Sequence, residues 1–303
     1  MFGSKRAVTA SCLAVLVFSL SFTGVATAAA SAVPGYQAGD FWKYYVMKYT
    51  KMQKPNDTFY FNETWVYNVT GEEALTVNGT AYSAYNVSVS MNSTGLVMCG
   101  MLAHHVWTFM NGTEYWETGN LSKILSMEEA NTTMTPGGWR WSIVEDSYTA
   151  PDRPTLFPLA VGNTWFNNYS FYEKAHYKSV NYGMFSEKWM NGTVESNNSY
   201  LCELQETVGT YDCCKVKRQD PGNLTIQPTY AWFSNAAGGR MVQKLIPVAT
   251  SNENGYEWWT LVEGSFNNTG LPPVPLPVVS ELAALLPLCA VASVLFIFTR
   301  KKR

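Results

Sequence analysis

The chain has 303 residues, enough for one large or two ordinary domains with a real core. Charged residues make up only 15%, where a soluble domain averages about 25%, while aromatics also reach 15% and the formal net charge is −2. That balance excludes a disordered chain, a coiled coil and a soluble nucleic-acid binder, and it points to a surface made soluble by something other than charge.

Taken in chain order, residues 1–32 read as a signal peptide: Lys5 and Arg6, an apolar stretch over 13–25, then Ala26-Thr27-Ala28 and Ala30-Ser31-Ala32. Residues 33–149 are predicted as a first β repeat, 150–156 as a linker with Pro151 and Pro154, and 157–267 as a second β repeat. A Pro-rich stalk over 268–279 and a transmembrane helix over 280–299 come next, and Arg300, Lys301, Lys302 and Arg303 form a basic tail. Four basic residues in a row place that tail in the cytoplasm, so the chain is expected to cross a plasma membrane once with its bulk outside. Residues 33–280 keep 15 of the 21 basic and 22 of the 23 acidic side chains, a net −7 that argues against nucleic acid as a partner.

The repeats rest on landmarks in one order. Gly39-x-x-Trp42 returns as Gly162-x-x-Trp165, and Phe61-x-Glu63-x-Trp65 as Phe185-x-Glu187-x-Trp189. Trp116 has a counterpart in Trp232, and Trp141-Ser-Ile-Val-Glu145 returns as Trp259-Thr-Leu-Val-Glu263. Runs such as Trp65-Val-Tyr-Asn-Val-Thr70 alternate apolar with polar, the period of a half-buried strand. Asn78-Gly79, Asn111-Gly112 and Asn191-Gly192 read as hairpin turns, and 121–130 is the best helical window. The predicted fold is mainly β: two tandem curved antiparallel half-barrel repeats plus the C-terminal transmembrane helix.

Fourteen N-x-S/T sequons mark Asn56, Asn62, Asn68, Asn78, Asn86, Asn92, Asn111, Asn120, Asn131, Asn168, Asn191, Asn197, Asn223 and Asn267. Their density, several times what chance gives, predicts a glycoprotein whose sugars supply the polar coat. Cys99, Cys202, Cys213 and Cys214 are disulfide candidates, with Cys202 facing Cys213 or Cys214 across a turn at 208–210. Met98-Cys99-Gly100-Met101 with His104 and His105 gathers metal-ligand types, but consecutive histidines on a strand face opposite ways, so no metal site is predicted. No catalytic motif is present, and neither an enzyme nor a cofactor is predicted.

Trp42, Trp65, Trp116, Trp141, Trp165, Trp189, Trp232 and Trp259 recur at matching places and are the ligand-binding candidates. Either they build a β core, or a curved sheet gathers them on a concave face for an apolar ligand, a lipid or a glycan.

Glu206-Thr-Val-Gly-Thr-Tyr-Asp-Cys-Cys-Lys-Val216, Ala231-Trp-Phe-Ser234 and Leu159-Ala-Val-Gly-Asn-Thr-Trp165 resemble motifs of archaeal-type secreted, membrane-anchored β-domain surface proteins. These are similar in turn to the LolA-like half-barrels of lipoprotein carriers, whose concave face takes lipid. The resemblance implies a cell-surface protein with a non-catalytic binding role. A structural envelope component with spacer domains is the competing class, and an extracellular hydrolase a third.

Overall fold

The period-two alternation becomes twelve antiparallel strands in a computed structural model, which describes residues 35–52, 57–100, 102–148, 159–222, 226–234, 236–237, 239–249 and 253–265. The first six are β1 (Phe41–Met52), β2 (Thr58–Val77), β3 (Thr80–Cys99), β4 (Leu102–Glu117), β5 (Lys123–Thr135) and β6 (Gly138–Tyr148). The second six are β7 (Thr164–Asn181), β8 (Met184–Val208), β9 (Tyr211–Gln219), β10 (Thr229–Ser234), β11 (Arg240–Ala249) and β12 (Glu253–Gly264). Each pairs with its sequence neighbour, and β1 pairs with β12, so the sheet closes on itself as a barrel.

This corrects the expectation of two tandem half-barrels with a C-terminal transmembrane helix. The barrel is one, and the described residues contain no helix, and none long and apolar enough to cross a membrane. The predicted segments 1–32, 268–279, 280–299 and 300–303 lie outside the described residues. The physical reason is edge pairing. An open half-barrel leaves two strands with unpaired backbone groups, and closure is the arrangement that removes every edge. Here β6 pairs with β7, and β12 with β1, so each six-stranded half covers both edges of the other. The window 121–130 falls largely in β5, a strand and not a helix.

Alternation sorts the faces. Trp42, Tyr44 and Val46 of β1, and Val87, Val89 and Met91 of β3, are buried within the barrel. The outside carries ion pairs such as Lys174–Glu145 and Lys178–Glu187. Asn78-Gly79 forms the β2–β3 turn with both residues at positive φ (49° and 81°). Asn111-Gly112 and Asn191-Gly192, however, sit in mid-strand on β4 and β8, and the β7–β8 turn is made by Tyr182-Gly183 instead.

The two seams between the halves share a device. A Cβ on Gly138 of β6 would meet the backbone of Val180, with its carbonyl carbon at 2.7 Å. One on Gly255 of β12 would meet Tyr49 and lie 2.8 Å from Thr50 Cα. At both seams only a residue without a side chain lets the strands approach. Gly138→Ala and Gly255→Ala are each expected to cost about 1–3 kcal/mol, the range for overpacking a tight site. Gly192→Ala, where a Cβ meets nothing within 4 Å, should stay within about 0.5 kcal/mol. Thermal unfolding of the three variants checks this, and equal losses would remove the seams from any special role.

Candidate functional site

Twelve strands enclose more width than side chains fill. At the end of the barrel where β1 begins, a cavity of about 330 Å³ remains. Its wall is aromatic: Tyr36, Trp42, Tyr44, Tyr67, Trp116 and Trp259. The rings brace one another, with Trp42 stacked on Tyr67 at 5.4 Å, Trp116 5.4 Å from Trp42, and Tyr44 edge-on to Trp259 at 5.8 Å. Tyr36 precedes β1 and covers this end, its backbone N–H donating to the Tyr85 hydroxyl at 3.2 Å.

Ladder irregularities aim these side chains. Register shifts fall at Lys43/Tyr44, Val69/Gly71, Tyr115/Trp116, Cys202/Leu204 and Trp232/Phe233, each within two or three residues of a group lining the cavity. Bulges at a barrel rim bend the strand and re-aim the side chains next to them.

Five charged groups share this aromatic cavity: Glu114, Lys123, Arg218, Arg240 and Lys244. Glu114 is buried, and both its oxygens are engaged. Oε1 accepts from Lys123 Nζ at 2.8 Å, and Oε2 accepts from the Trp116 indole N–H at 2.7 Å. Arg218 Nε donates to Asn198 Oδ1 at 2.8 Å, and its Nη2 reaches the Tyr169 hydroxyl at 3.5 Å. The buried Arg240 guanidinium lies 3.2 Å from the Trp42 ring centroid and 3.5 Å from that of Tyr36. Lys244 Nζ lies 5.4 Å from the Trp259 ring. Cations outnumber carboxylates on this wall four to one. Burial, reinforced by the Glu114 charge, pushes the Tyr67 phenol well above its ordinary range, so it stays a neutral donor.

Of the eight candidate tryptophans, the fold brings Trp42, Trp116 and Trp259 to the cavity. Trp65 packs beside it, 5.4 Å from Trp259, and donates to Glu63 Oε2 at 2.7 Å. Trp165 belongs to a second apolar cluster with Tyr200, Cys202 and Val216, and Trp232 is buried with its indole on Glu206. Trp141 and Trp189 lie on the outer wall: Trp141 donates to Glu129, and Trp189 stacks on His176 at 3.6 Å. Sequence reasoning missed Tyr36, Tyr44, Tyr67 and the cations. Tyr44 and Tyr67 each stand two residues after a candidate tryptophan, on the same strand face, and that spacing was the available signal.

Cys202 and Cys214 are joined by a disulfide, while Cys99 and Cys213 are free. His104 is buried against the Pro136 carbonyl, and His105 stacks on Trp107 outside. Of the sequon asparagines, Asn56, Asn223 and Asn267 lie outside the described residues. Asn62, Asn68, Asn78, Asn92, Asn111, Asn131, Asn168, Asn191 and Asn197 are exposed, and Asn86 and Asn120 are half-buried.

On the neighbouring wall Ser126 faces Glu114 on one side and Asp146 on the other, with Glu173 next in the ladder. Burial pushes the Asp146 carboxyl up to about 6; Glu173 and Glu114 add to this, against Lys123 and a hydrogen bond from Ser126. Burial raises Glu128 in the same way. The folded chain therefore holds the Asp146 proton more tightly than the unfolded chain. Stability is fullest below the ordinary carboxyl range and falls as pH rises through about 6. Asp146→Asn is expected to gain about 1 kcal/mol at pH 7, held to that by the carboxyl's partial exposure, or roughly 2–4 °C. Melting curves at pH 4 and pH 7 check it: the gain should vanish at pH 4, and a gain of equal size there overturns the assignment.

Comparison with family models, with curated proteins and with solved structures yields no match to this chain.

Proposed function

We propose that this chain is a cell-surface glycoprotein with a non-catalytic binding role. Its barrel takes up a small molecule that has an apolar or aromatic body and an anionic group. The observation that carries this is the cavity of about 330 Å³, a size typical of small-molecule sites. Its wall supplies two kinds of contact at once. Trp42, Trp116 and Trp259 offer flat apolar faces, while Arg218, Arg240 and Lys244 bring cationic side chains to the same wall. The excess of cations over carboxylates on the cavity wall favours a negatively charged guest there. The exterior location rests on the apolar stretches at 13–25 and 282–298 and on the sequon density.

A second reading has its own support. The interior carboxyls Glu114, Glu128, Asp146 and Glu173, with Asp146 titrating near 6, are what a hydrolase would need for general acid catalysis. Turnover of a chromogenic glycoside or ester that Asp146→Asn abolishes would move the function to that class.

The binding reading is tested with two dyes of similar shape, anionic 1-anilinonaphthalene-8-sulfonate and neutral N-phenyl-1-naphthylamine, titrated into residues 33–270. Both should bind with quenching of tryptophan emission. Arg218→Gln and Lys244→Gln should weaken the anionic dye about tenfold, ~1.4 kcal/mol, and leave the neutral one unchanged. Equal loss of both dyes would deny the cations a role in recognition. Binding of neither would favour the structural envelope component.

A further inference from the structure

The outer wall exposes large aromatic side chains that the barrel core does not explain. Phe166 is 74% exposed, Trp189 72% and Phe109 45%. Rings this exposed present apolar surface that a covering group would remove from water. Each of the three stands two residues before a sequon asparagine on the same strand: Phe109 before Asn111, Phe166 before Asn168, Trp189 before Asn191. Residues i and i+2 of a strand share a face, so ring and carboxamide point the same way. The three asparagines are exposed with them.

The ladder tightens the association around Phe109. Asn92 of β3 lies directly opposite it on one side and Asn131 of β5 on the other, both of them sequon asparagines. Beyond Asn131 comes Trp141 of β6. Directly opposed side chains have Cβ atoms about 5 Å apart. Phe109 thus has three glycosylation acceptors as neighbours on one face.

We infer that Phe109, Phe166 and Trp189 are platforms for the chain's own N-linked sugars, with Asn111, Asn168 and Asn191 as the anchoring asparagines. The flat C–H face of the first pyranose lies against the ring, which covers apolar surface and fixes the glycan close to the wall. This rests on the glycoprotein part of the proposed function and is independent of the cavity. The attachment uses a lipid-phosphate-linked oligosaccharide as donor. The asparagine Nδ2–C1 bond forms, and the C1–O bond to phosphate breaks. The electron pair leaves with the phosphate, and one amide proton passes to the base of the transferase.

The test uses the full-length chain from a glycosylating secretory host, in wild type, Trp189→Ala, Thr193→Ala and the double variant. Thr193→Ala removes the Asn191 sequon while leaving the asparagine. Glycopeptide mass spectrometry reads occupancy, and thermal unfolding reads the coupling. We expect Asn191 to be occupied and Trp189→Ala to lower the melting temperature by about 2–4 °C in the glycosylated chain. In the Thr193→Ala background the further loss should shrink to that of the His176 stack alone. A parallel cycle of Phe166→Ala with Ser170→Ala should behave alike. Occupancy with equal losses in both backgrounds overturns the platforms and leaves the glycoprotein reading standing. Sugars on other asparagines but not on these three overturn the inference alone. No sugar on any sequon overturns both. Self-association of the unglycosylated chain that Trp189→Ala abolishes assigns the rings to a contact between copies and overturns the proposal.

Discussion

The pairing of β1 with β12 is the constraint on which the structure depends, because without it the sheet has two open edges and no interior. A charged group holds that seam. Lys48 of β1 lies 3.0 Å from Glu63 of β2 and 3.4 Å from Glu257 of β12. Each carboxylate also accepts the indole N–H of the tryptophan two residues on, Trp65 and Trp259. Glu63 is almost wholly buried, so a lost partner would strand a charge at several kcal/mol. Satisfied from both sides, the same group ties three strands into one register, and Gly255 lets their backbones meet.

The carboxylate–indole pair that serves the seam also shapes the cavity. Glu114 and Trp116 repeat the spacing of Glu63 and Trp65, and of Glu257 and Trp259. Two residues along a strand is one step on one face, so the hydrogen bond costs the backbone nothing and fixes the ring plane. Trp116 and Trp259 are thereby set beside Trp42 and Tyr44 around an unfilled space. The cavity is a product of strand number and ring orientation together. Eight strands would be closed by their own side chains, and twelve are not.

The strands and their inward phase were legible in the sequence because alternation is local. Trp42, Tyr44 and Val46 declare a buried face without any partner. Closure was not legible, since an open half-barrel and a closed barrel show the same alternation. The contact that decides between them joins Phe41 to Ser265, 224 residues apart. Asn111-Gly112 and Asn191-Gly192 misled for a related reason. Asparagine followed by glycine marks a turn when the flanking strands pair with each other, and here both dipeptides pair outward with neighbouring strands along their length. The cations escaped notice because a lone Arg218 or Lys244 in an alternating strand looks like a solvated position. Only the register of β8 to β12 turns them inward.

That inward placement bears on why so sparsely charged a chain keeps charge inside its barrel. Arg218 is held by two neutral groups, the Asn198 amide and the Tyr169 hydroxyl. Arg240 lies between the faces of Tyr36 and Trp42, which attract a cation through their π electrons. A carboxylate neutralises the charge it positions, as Glu114 does for Lys123 at 2.8 Å. An amide, a hydroxyl or a ring positions a guanidinium without adding a negative charge of its own. A wall that needed cations only for packing would set them on carboxylates, as the seam does with Lys48. One that orients Arg218 with an amide and a hydroxyl leaves these two partners neutral, and the enclosing low dielectric makes the guanidinium's field stronger than on the surface.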